Sequence, residues 1–379
     1  MGRTGMPPIA FQRPSLPGLD AIESYYSASE TARWYSNGGP CTTLLAERIG
    51  GMLACDVVPV ANGTLGLMVA LAGLRETGAL RGPVILVPSF TFTATAAACS
   101  WVGLEPVFVD IEPEGWHMDP DALRDALEAL GPDVGAVMPV AAFGTPPSPK
   151  VLSEWEGICA EAGIRLIVDA AAGFGALARD GRIMSVMGDI TVFSMHATKP
   201  FAAGEGGLVC CRDERLGEAI ASLVNFGFDA ERVVRSSVGL NAKLAELPAA
   251  TALAALDTLP AALEGRRSSA ALYRGALEPH LAFQAECDRS TWQFVPALAR
   301  SRAERDAALR AAADAGIECR SYYDPLHRFP AYQRVRVVGA LPCTEDVSAR
   351  ILSLPLAPDM PRDQVEYVCE VLGAVIAAP

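Results

Sequence analysis

Two side chains in this sequence have the type and the setting for chemistry on a carbonyl group. Lys199 lies in FSMHATKPFAAGEGG, among small, apolar and hydroxyl residues, after a β-rich run and before a glycine-rich turn. A lysine in such a setting can lose its proton and attack a carbonyl carbon. Asp169 ends the run IRLIVD, where a buried carboxylate is costly unless a cationic or hydrogen-bonding group meets it. The plain alternatives are a solvated surface lysine and an aspartate that caps a helix or forms a loop salt bridge.

A protonated pyridine nitrogen is one partner that suits Asp169, because pyridoxal-phosphate enzymes combine such an aspartate with a Schiff-base lysine. The turn at 62–64 joins a strand to a helix in VANGTLGL, and a helix N-terminus with a hydroxyl favours a phosphate. One of the rings of Phe90 and Phe92 could lie flat against a planar cofactor. Ser194 could offer its hydroxyl to the phosphate. Ordinary capping, core packing and a turn serine are the alternatives for these three features.

The other motifs are weak or absent. GFGALA at 173–178 matches a dinucleotide fingerprint, but it follows the fifth strand-like run, and the charged turn RDGR interrupts the helix that should receive the pyrophosphate. Four histidines lack metal-ligand spacing, and ten scattered cysteines form no zinc motif or disulfide framework. The sequence has no P-loop and no G-x-S-x-G elbow. We expect no metal site, and an NAD oxidoreductase stays as an alternative.

These residues must be positioned by an α/β sheet, because short β-rich runs alternate with helical stretches. The helical stretches are 64–74, 93–101, 119–130 and 149–162, and Asp119 precedes Pro120 as a plausible N-cap. Parallel strands end at one edge of the sheet, where ligands bind. The strand-like runs are 57–60, 84–87, 106–109, 134–140, 164–169, 189–193 and 207–211.

The pattern of residue types changes after about residue 240. An Ala/Leu-rich helix over 244–277 precedes the strand-like WQFVPAL, a helix over 302–315 and a final helix after Pro361. This pattern predicts a large domain over 1–245 and a smaller α/β domain over 246–379.

Composition excludes several classes of protein. The chain has 379 residues, 51% of them hydrophobic and 20% charged, so it is not disordered or fibrous. Its net charge of −13 and the lack of a Lys/Arg cluster argue against nucleic-acid binding. The uncharged stretch over 84–104 contains a proline and several hydroxyls, which favours a strand, loop and helix over a membrane span. The start of the sequence has no apolar signal region, and we expect a cytoplasmic protein.

Nine segments, in order, resemble the DegT/DnrJ/EryC1/StrS family of pyridoxal-phosphate sugar aminotransferases. The resemblance implies an α/β protein of PLP-dependent transferase fold type I. Its large domain would hold a mostly parallel, mixed seven-stranded sheet flanked by helices, beside a smaller C-terminal α/β domain. The segments are NGT at 62–64, PSFTFTAT at 88–95, PVFVDIEP at 106–113, VDAAAGFGA at 168–176, FSMHATK at 193–199, GEGG at 204–207, NFGFD at 225–229, GLNAKLAE at 239–246 and YYDPLH at 322–327.

The resemblance also implies a role for each matching residue. Lys199 would be the Schiff-base lysine, and Asp169 the partner of the pyridine nitrogen of pyridoxal 5'-phosphate. Asn241 would reach the phosphate from a neighbouring subunit, which implies a homodimer with shared active sites. The other implied cofactor contacts are Gly63, Thr64 and Ser194 at the phosphate and Phe92 on the ring, while Glu205 and His327 would lie at the substrate-facing rim.

Two positions depart from the family pattern. Ala172 stands where a Gln or His would touch the phenolic oxygen of the cofactor, so the contact at this cofactor-binding position should be missing. Ala141, in PVAAFG, replaces the histidine of PVHLYG, and LRGPV replaces GDEV before the second strand. We therefore expect differences in substrate fit or geometry.

The implied reaction moves an amino group, from glutamate as the expected donor, to a nucleotide-linked ketosugar. NFGFD, GLNAK and HATK resemble most the branch that acts at C4 of 4-keto-6-deoxyhexoses, in deoxyaminosugar biosynthesis for antibiotics or surface glycans. Amination of a 3-ketosugar or a cyclitol ketone is the alternative substrate. A dehydratase of the same fold would carry histidine in place of Lys199. A non-catalytic protein on this fold is the remaining alternative.

Overall fold

A seven-stranded sheet runs through the larger part of the chain in the computed structural model, which describes residues 7–376. Its strand order is β1-β7-β6-β5-β4-β2-β3, and β7 alone runs antiparallel to its neighbours. The predicted mostly parallel, mixed sheet is therefore confirmed. The strands are β1 (Asp56–Val60), β2 (Val84–Pro88), β3 (Glu105–Val109), β4 (Val134–Val137), β5 (Arg165–Asp169), β6 (Ile190–Ser194) and β7 (Gly207–Cys211).

Helices cover both faces of this sheet. Alternate residues of β2 point to opposite sides, so Val84 and Leu86 join one apolar core while Ile85 and Val87 join the other. This explains why the central strands read as unbroken apolar runs. The helices before the small sheet are α1 (Leu19–Ala32), α2 (Pro40–Leu53), α3 (Gly63–Glu76), α4 (Thr93–Trp101), α5 (Pro120–Leu130), α6 (Pro149–Ala162), α7 (Glu214–Val224) and α8 (Glu246–Leu277).

Local sequence explains where several of these elements begin and end. The Asp119 side chain accepts the Asp121 N–H at 2.9 Å, so it is the predicted N-cap of α5. The strand predicted over 134–140 ends at Val137, because Pro139 has no N–H for a further ladder bond. The chain continues to an isolated bridge between Val140 and Asp169. This bridge brings the loop after β4 to the end of β5.

A smaller antiparallel sheet follows, in the order β10-β9-β8. The long helix α8 packs against α1 and α2 and also against the last helix of the chain. It therefore contacts helices that precede it and a helix that follows the small sheet. The boundary between residues 245 and 246 stays a prediction. No helix within residues 7–376 is long and apolar enough to cross a membrane. The later elements are β8 (Ala282–Phe283), β9 (Val295–Leu298), α9 (Arg302–Asp314), α10 (Pro342–Arg350), β10 (Ile351–Leu354) and α11 (Arg362–Ile376).

Glu246, the first residue of α8, provides the N-terminal cap that α2 lacks in its own sequence. Its carboxylate is buried and accepts hydrogen bonds from the Ser29 hydroxyl at 2.7 Å, the Cys41 N–H at 2.7 Å, the Thr42 N–H at 3.1 Å and the Thr42 hydroxyl. Burial alone would raise the pKa of Glu246, but hydrogen bonds from Thr42, Ser29 and the two amides hold this pKa below its ordinary value. The carboxylate thus fixes three helices together.

We expect Glu246→Ala to lower the free energy of unfolding by about 3 kcal/mol at pH 7, because it leaves several buried donors without an acceptor. Urea denaturation measures this change. Since the folded-state pKa is depressed, the stabilisation is present above the unfolded-state pKa and is lost as pH falls through the folded-state value. Glu264→Ala, at an exposed position of the same helix, is the control. An equal loss in both variants would contradict the capping role.

Candidate active site

A cavity of about 740 Å³ opens where β5 and β6 end and α3 begins. This is the carboxyl edge of the parallel strands, at which α/β sheets bind ligands. The structure thus brings most of the sequence-predicted residues together. Those that line the cavity are Gly63, Thr64, Phe92, Asp169, Ala172, Ser194, Lys199 and Glu205.

One end of the cavity is formed by the N-terminus of α3. The Asn62 side chain caps this helix by accepting the Leu65 N–H at 2.9 Å. The first N–H groups of a helix have no partner within it, so this end attracts an anion. Gly63 faces Ser194 closely, since a Cβ at position 63 would lie 3.0 Å from the Ser194 Cβ. The glycine therefore keeps open a cradle of N–H and hydroxyl groups that suits a phosphate.

Asp169 places a carboxylate in the cavity at the end of β5. Only 5% of the residue is exposed. The Thr95 hydroxyl donates to its Oδ2 at 2.8 Å, and the Ala171 N–H donates to its Oδ1 at 3.1 Å. Burial raises the pKa of Asp169, and these two hydrogen bonds and the charge of Lys199 only oppose that effect. Such a carboxylate is suited to a ligand that brings its own N–H or positive charge.

Lys199 lies on the turn after β6, with its side chain inside the same cavity. Its backbone N–H donates to the His196 carbonyl at 2.8 Å, which closes the turn. Burial lowers the pKa of Lys199, and the charge of Asp169 opposes this shift. A larger fraction of the amine is therefore neutral near pH 7 than for an exposed lysine, and the neutral amine is the form that attacks a carbonyl.

These features fit pyridoxal 5'-phosphate. The cradle at α3 matches the phosphate, the buried carboxylate matches a ring N–H, and the amine matches the aldehyde carbon. Phe92 lines the cavity with 61% of its residue surface exposed, so its ring is free to contact a ligand. Ala172 lines the cavity with a methyl group and offers no side-chain hydrogen bond. The particular contact assigned to each residue stays a prediction.

Two sequence-predicted residues lie outside the cavity lining. Asn241 is exposed, on the segment that forms a bridge with Asn225. The His327 ring is held by the Ser89 hydroxyl at 2.7 Å and by a Glu345 carboxylate oxygen at 2.7 Å. These contacts tie the end of β2 to α10. Within one subunit the structure therefore does not bring His327 to the expected substrate-facing rim.

The structure adds cavity or supporting residues to which the sequence had given no role. Thr95 holds Asp169, although it lies within the PSFTFTAT segment as one hydroxyl among several. Gln293 lines the cavity, and its only sequence signal is a polar residue inside the apolar run WQFVPAL. Tyr323 also lines the cavity, and burial and then the charge of Asp169 raise the pKa of its hydroxyl.

The fingerprint GFGALA does not form a dinucleotide site. Gly173 donates its N–H to the Ala170 carbonyl in a turn, and Leu177 pairs with Ile183 in an isolated bridge. No helix begins between residues 173 and 183, so the segment has no helix N-terminus for a pyrophosphate.

A fold of this type, with a lysine and a buried aspartate at the carboxyl edge of its sheet, is the arrangement of a pyridoxal-phosphate-dependent enzyme. The sequence pattern of the DegT/DnrJ/EryC1/StrS aminotransferase family matches residues 20–373. The chain belongs to this family, and pyridoxal 5'-phosphate is its cofactor. The predicted family, fold, enzyme class and cofactor are therefore confirmed.

Individual relatives match along nearly their whole length. Protein Rv3402c of Mycobacterium tuberculosis is 34% identical, over 97% of this chain and 90% of its own. The dTDP-4-amino-4,6-dideoxy-D-glucose transaminase of Shigella dysenteriae is 30% identical, over 97% and 99%. The dTDP-3-amino-3,4,6-trideoxy-alpha-D-glucose transaminase of Micromonospora megalomicea is 31% identical, over 97% of both chains. The crystal structure of a putative PLP-dependent aminotransferase from Bacillus cereus superposes with a TM-score of 0.89 at 31% identity, over 97% of this chain and 100% of its own.

Proposed function

We propose that this enzyme transfers an amino group from L-glutamate to a nucleotide-linked ketosugar, at C4 of an NDP-4-keto-6-deoxyhexose. The observation that carries the proposal is the presence of the Lys199 amine and the buried Asp169 carboxylate in one cavity large enough for cofactor and substrate. The activity of the Shigella relative supports a 4-amino product. The motifs NFGFD, GLNAK and HATK support the same position.

Three side chains of the cavity would act in the reaction. When bound, the cofactor supplies an electrophilic carbon for the amine and a ring that takes up electrons. Lys199 Nζ would hold the cofactor at that carbon and, when free, would take up the proton from the α-carbon of the amino donor. Asp169 would hold the ring nitrogen of the cofactor by a hydrogen bond and keep it protonated. Glu205, which lies 3.7 Å from His196 at the cavity wall, would face the substrate.

The proposal includes a homodimer in which Asn241 completes the partner's phosphate site. The support is an exposed apolar surface on the segment that leads to Asn241. A second copy of this chain would cover that surface and bring the amide to the partner's cavity. The apolar side chains of the segment are Phe226, Val233, Val234 and Val238, each more than two-fifths exposed. Light scattering or ultracentrifugation should give twice the mass of one chain.

A second candidate is amination at C3, which the activity of the Micromonospora relative favours. Its identity with this chain matches that of the C4 enzyme within one percentage point, so the two substrates must be compared directly. The test supplies the purified enzyme with L-glutamate and either dTDP-4-keto-6-deoxyglucose or dTDP-3-keto-4,6-dideoxyglucose, the ketone that corresponds to the Micromonospora amino sugar. NMR of the product then locates the new amine.

A 4-amino sugar formed together with 2-oxoglutarate would support the proposal. A 3-amino sugar formed faster would replace it with the second candidate. If neither sugar is aminated and glutamate leaves the spectrum of the bound cofactor unchanged, the proposal is wrong, and the non-catalytic alternative gains support.

A further inference from the structure

Gln293 is a buried polar side chain in the cavity wall. The proposed function assigns it no role. Only 6% of the residue is exposed. Its Oε1 accepts a hydrogen bond from the Lys199 amine at 3.4 Å, and its Nε2 donates to the Thr198 carbonyl at 3.4 Å. Within residues 7–376, this carboxamide oxygen is the one hydrogen-bond acceptor of that amine. The two bonds therefore join Gln293 to the reactive group and to the backbone next to it.

The backbone that carries Gln293 is fixed from two sides. Arg266 of α8 is buried and donates from one nitrogen to the Trp292 carbonyl at 3.1 Å and to the Gln293 carbonyl at 3.2 Å. The Thr291 hydroxyl donates to the Ala172 carbonyl at 2.6 Å, which ties the same segment to the cavity wall after β5. A side chain on a segment held in this way keeps its direction without help from a ligand.

We propose that Gln293 is a positioning residue for Lys199 and holds the amine in place through its carboxamide oxygen. An acceptor opposite an amine also favours the charged form of that amine. Gln293 would thus oppose part of the effect of burial, in the same direction as Asp169. This inference rests on the proposed function, in which Lys199 is the reactive lysine.

The small number of lysines makes the inference testable by chemical labelling. The chain has three, Lys150, Lys199 and Lys243. The Lys150 side chain is 85% exposed and serves as an internal reference for an ordinary amine. The full chain, freed of cofactor, is reductively methylated with formaldehyde and cyanoborohydride at a series of pH values, and mass spectrometry gives the rate at each lysine. Only the neutral amine reacts, so the pH profile reports the protonation of Lys199.

Two variants should move this profile in opposite directions. Gln293→Leu removes the acceptor, and the midpoint at Lys199 should fall by about half a pH unit. Gln293→Glu keeps the size of the side chain and adds a charge, and the midpoint should rise by about one to two units. The other titratable groups that line the cavity are the same in every variant. They are Asp169, His196, Glu205, Tyr322 and Tyr323.

The matched control is Gln284→Leu, which removes another buried carboxamide that instead bonds the Gly115 carbonyl. It should leave the Lys199 profile unchanged. Profiles of both Gln293 variants that superpose on the parent profile, with circular dichroism unchanged, would overturn the inference. If Gln293→Leu does not fold, the nearly isosteric Gln293→Glu alone decides between a shifted and an unshifted profile. Failure of Lys199 to react at any pH would instead count against the proposed function.

Discussion

Replacing Lys199 by alanine should lower the transamination rate by about 10⁴-fold or more, because one amine acts both as nucleophile and as base. The same change should remove the visible absorbance band of lysine-linked pyridoxal phosphate. The band needs only protein and cofactor, so this measurement does not depend on the identity of the sugar. Its loss together with the loss of activity would place both roles on this one side chain.

Lys243→Ala is the control for that experiment. This lysine lies with its amine 4.5 Å from the centre of the Phe226 ring, on the exposed segment rather than in the cavity, and burial lowers its pKa as well. Both lysines have a lowered pKa, so the pKa does not distinguish them. They differ because the Lys199 side chain lies in the cavity. The control should keep the visible band. If Lys199→Ala keeps the band and Lys243→Ala loses it, the assignment of the reactive lysine is wrong.

Much of the fold could be predicted from local sequence because the sheet is buried on both faces. Such strands read as short apolar runs, and all seven were visible in the pattern. Helices α1 and α2 were not predicted. The only fully buried residue of α1 is Ser29, and its apolar residues Ile22, Tyr25 and Tyr26 are only partly buried against the core. Its position depends on α8 and on the Glu246 carboxylate, which is 217 residues away in sequence.

The residues of the candidate site also fall into two groups, those that local sequence predicts and those that it does not. Lys199 and Asp169 could be predicted because each follows a strand, and strand ends meet at one edge of a parallel sheet. Their supporting residues could not be predicted from local sequence, since Thr95 lies 74 residues from Asp169 and Gln293 lies 94 residues from Lys199. The place of His327 stays a prediction. Its segment suggests the substrate rim, and within one subunit its ring contacts Ser89 and Glu345 outside the cavity lining.

Asp169→Asn should lower the transamination rate by about 10³-fold, because a neutral amide cannot keep the ring nitrogen of the cofactor protonated. The side chain itself should still fit. In the parent, the Thr95 hydroxyl donates to Asp169. In the variant, the asparagine N–H can donate to the Thr95 oxygen while that hydroxyl turns to Thr91, whose oxygen lies 2.8 Å away. The loss of rate would then reflect charge rather than misfolding, and the visible band should persist.

The control for Asp169→Asn is Asp110→Asn, at a buried carboxylate outside the cavity. Asp110 accepts the backbone N–H groups of Cys343 at 3.0 Å and Thr344 at 2.8 Å, at the start of α10. Its replacement should cost stability and leave the rate per folded enzyme unchanged. Equal losses of rate in the two variants would show that any buried aspartate affects activity through the fold.

Asp169→Asn should make the cofactor-free protein more stable near pH 7. Burial raises the pKa of Asp169 in the folded state, so the folded protein binds a proton more tightly than the unfolded chain does. Stability therefore falls as pH rises through the folded-state pKa, and it stays lower above that value. The variant lacks this loss, so its advantage should disappear below the unfolded-state pKa of about 3.9. Urea midpoints measured across this pH range test the sign, and a variant less stable than the parent at pH 7 would show that Asp169 stabilises the fold as well as the cofactor.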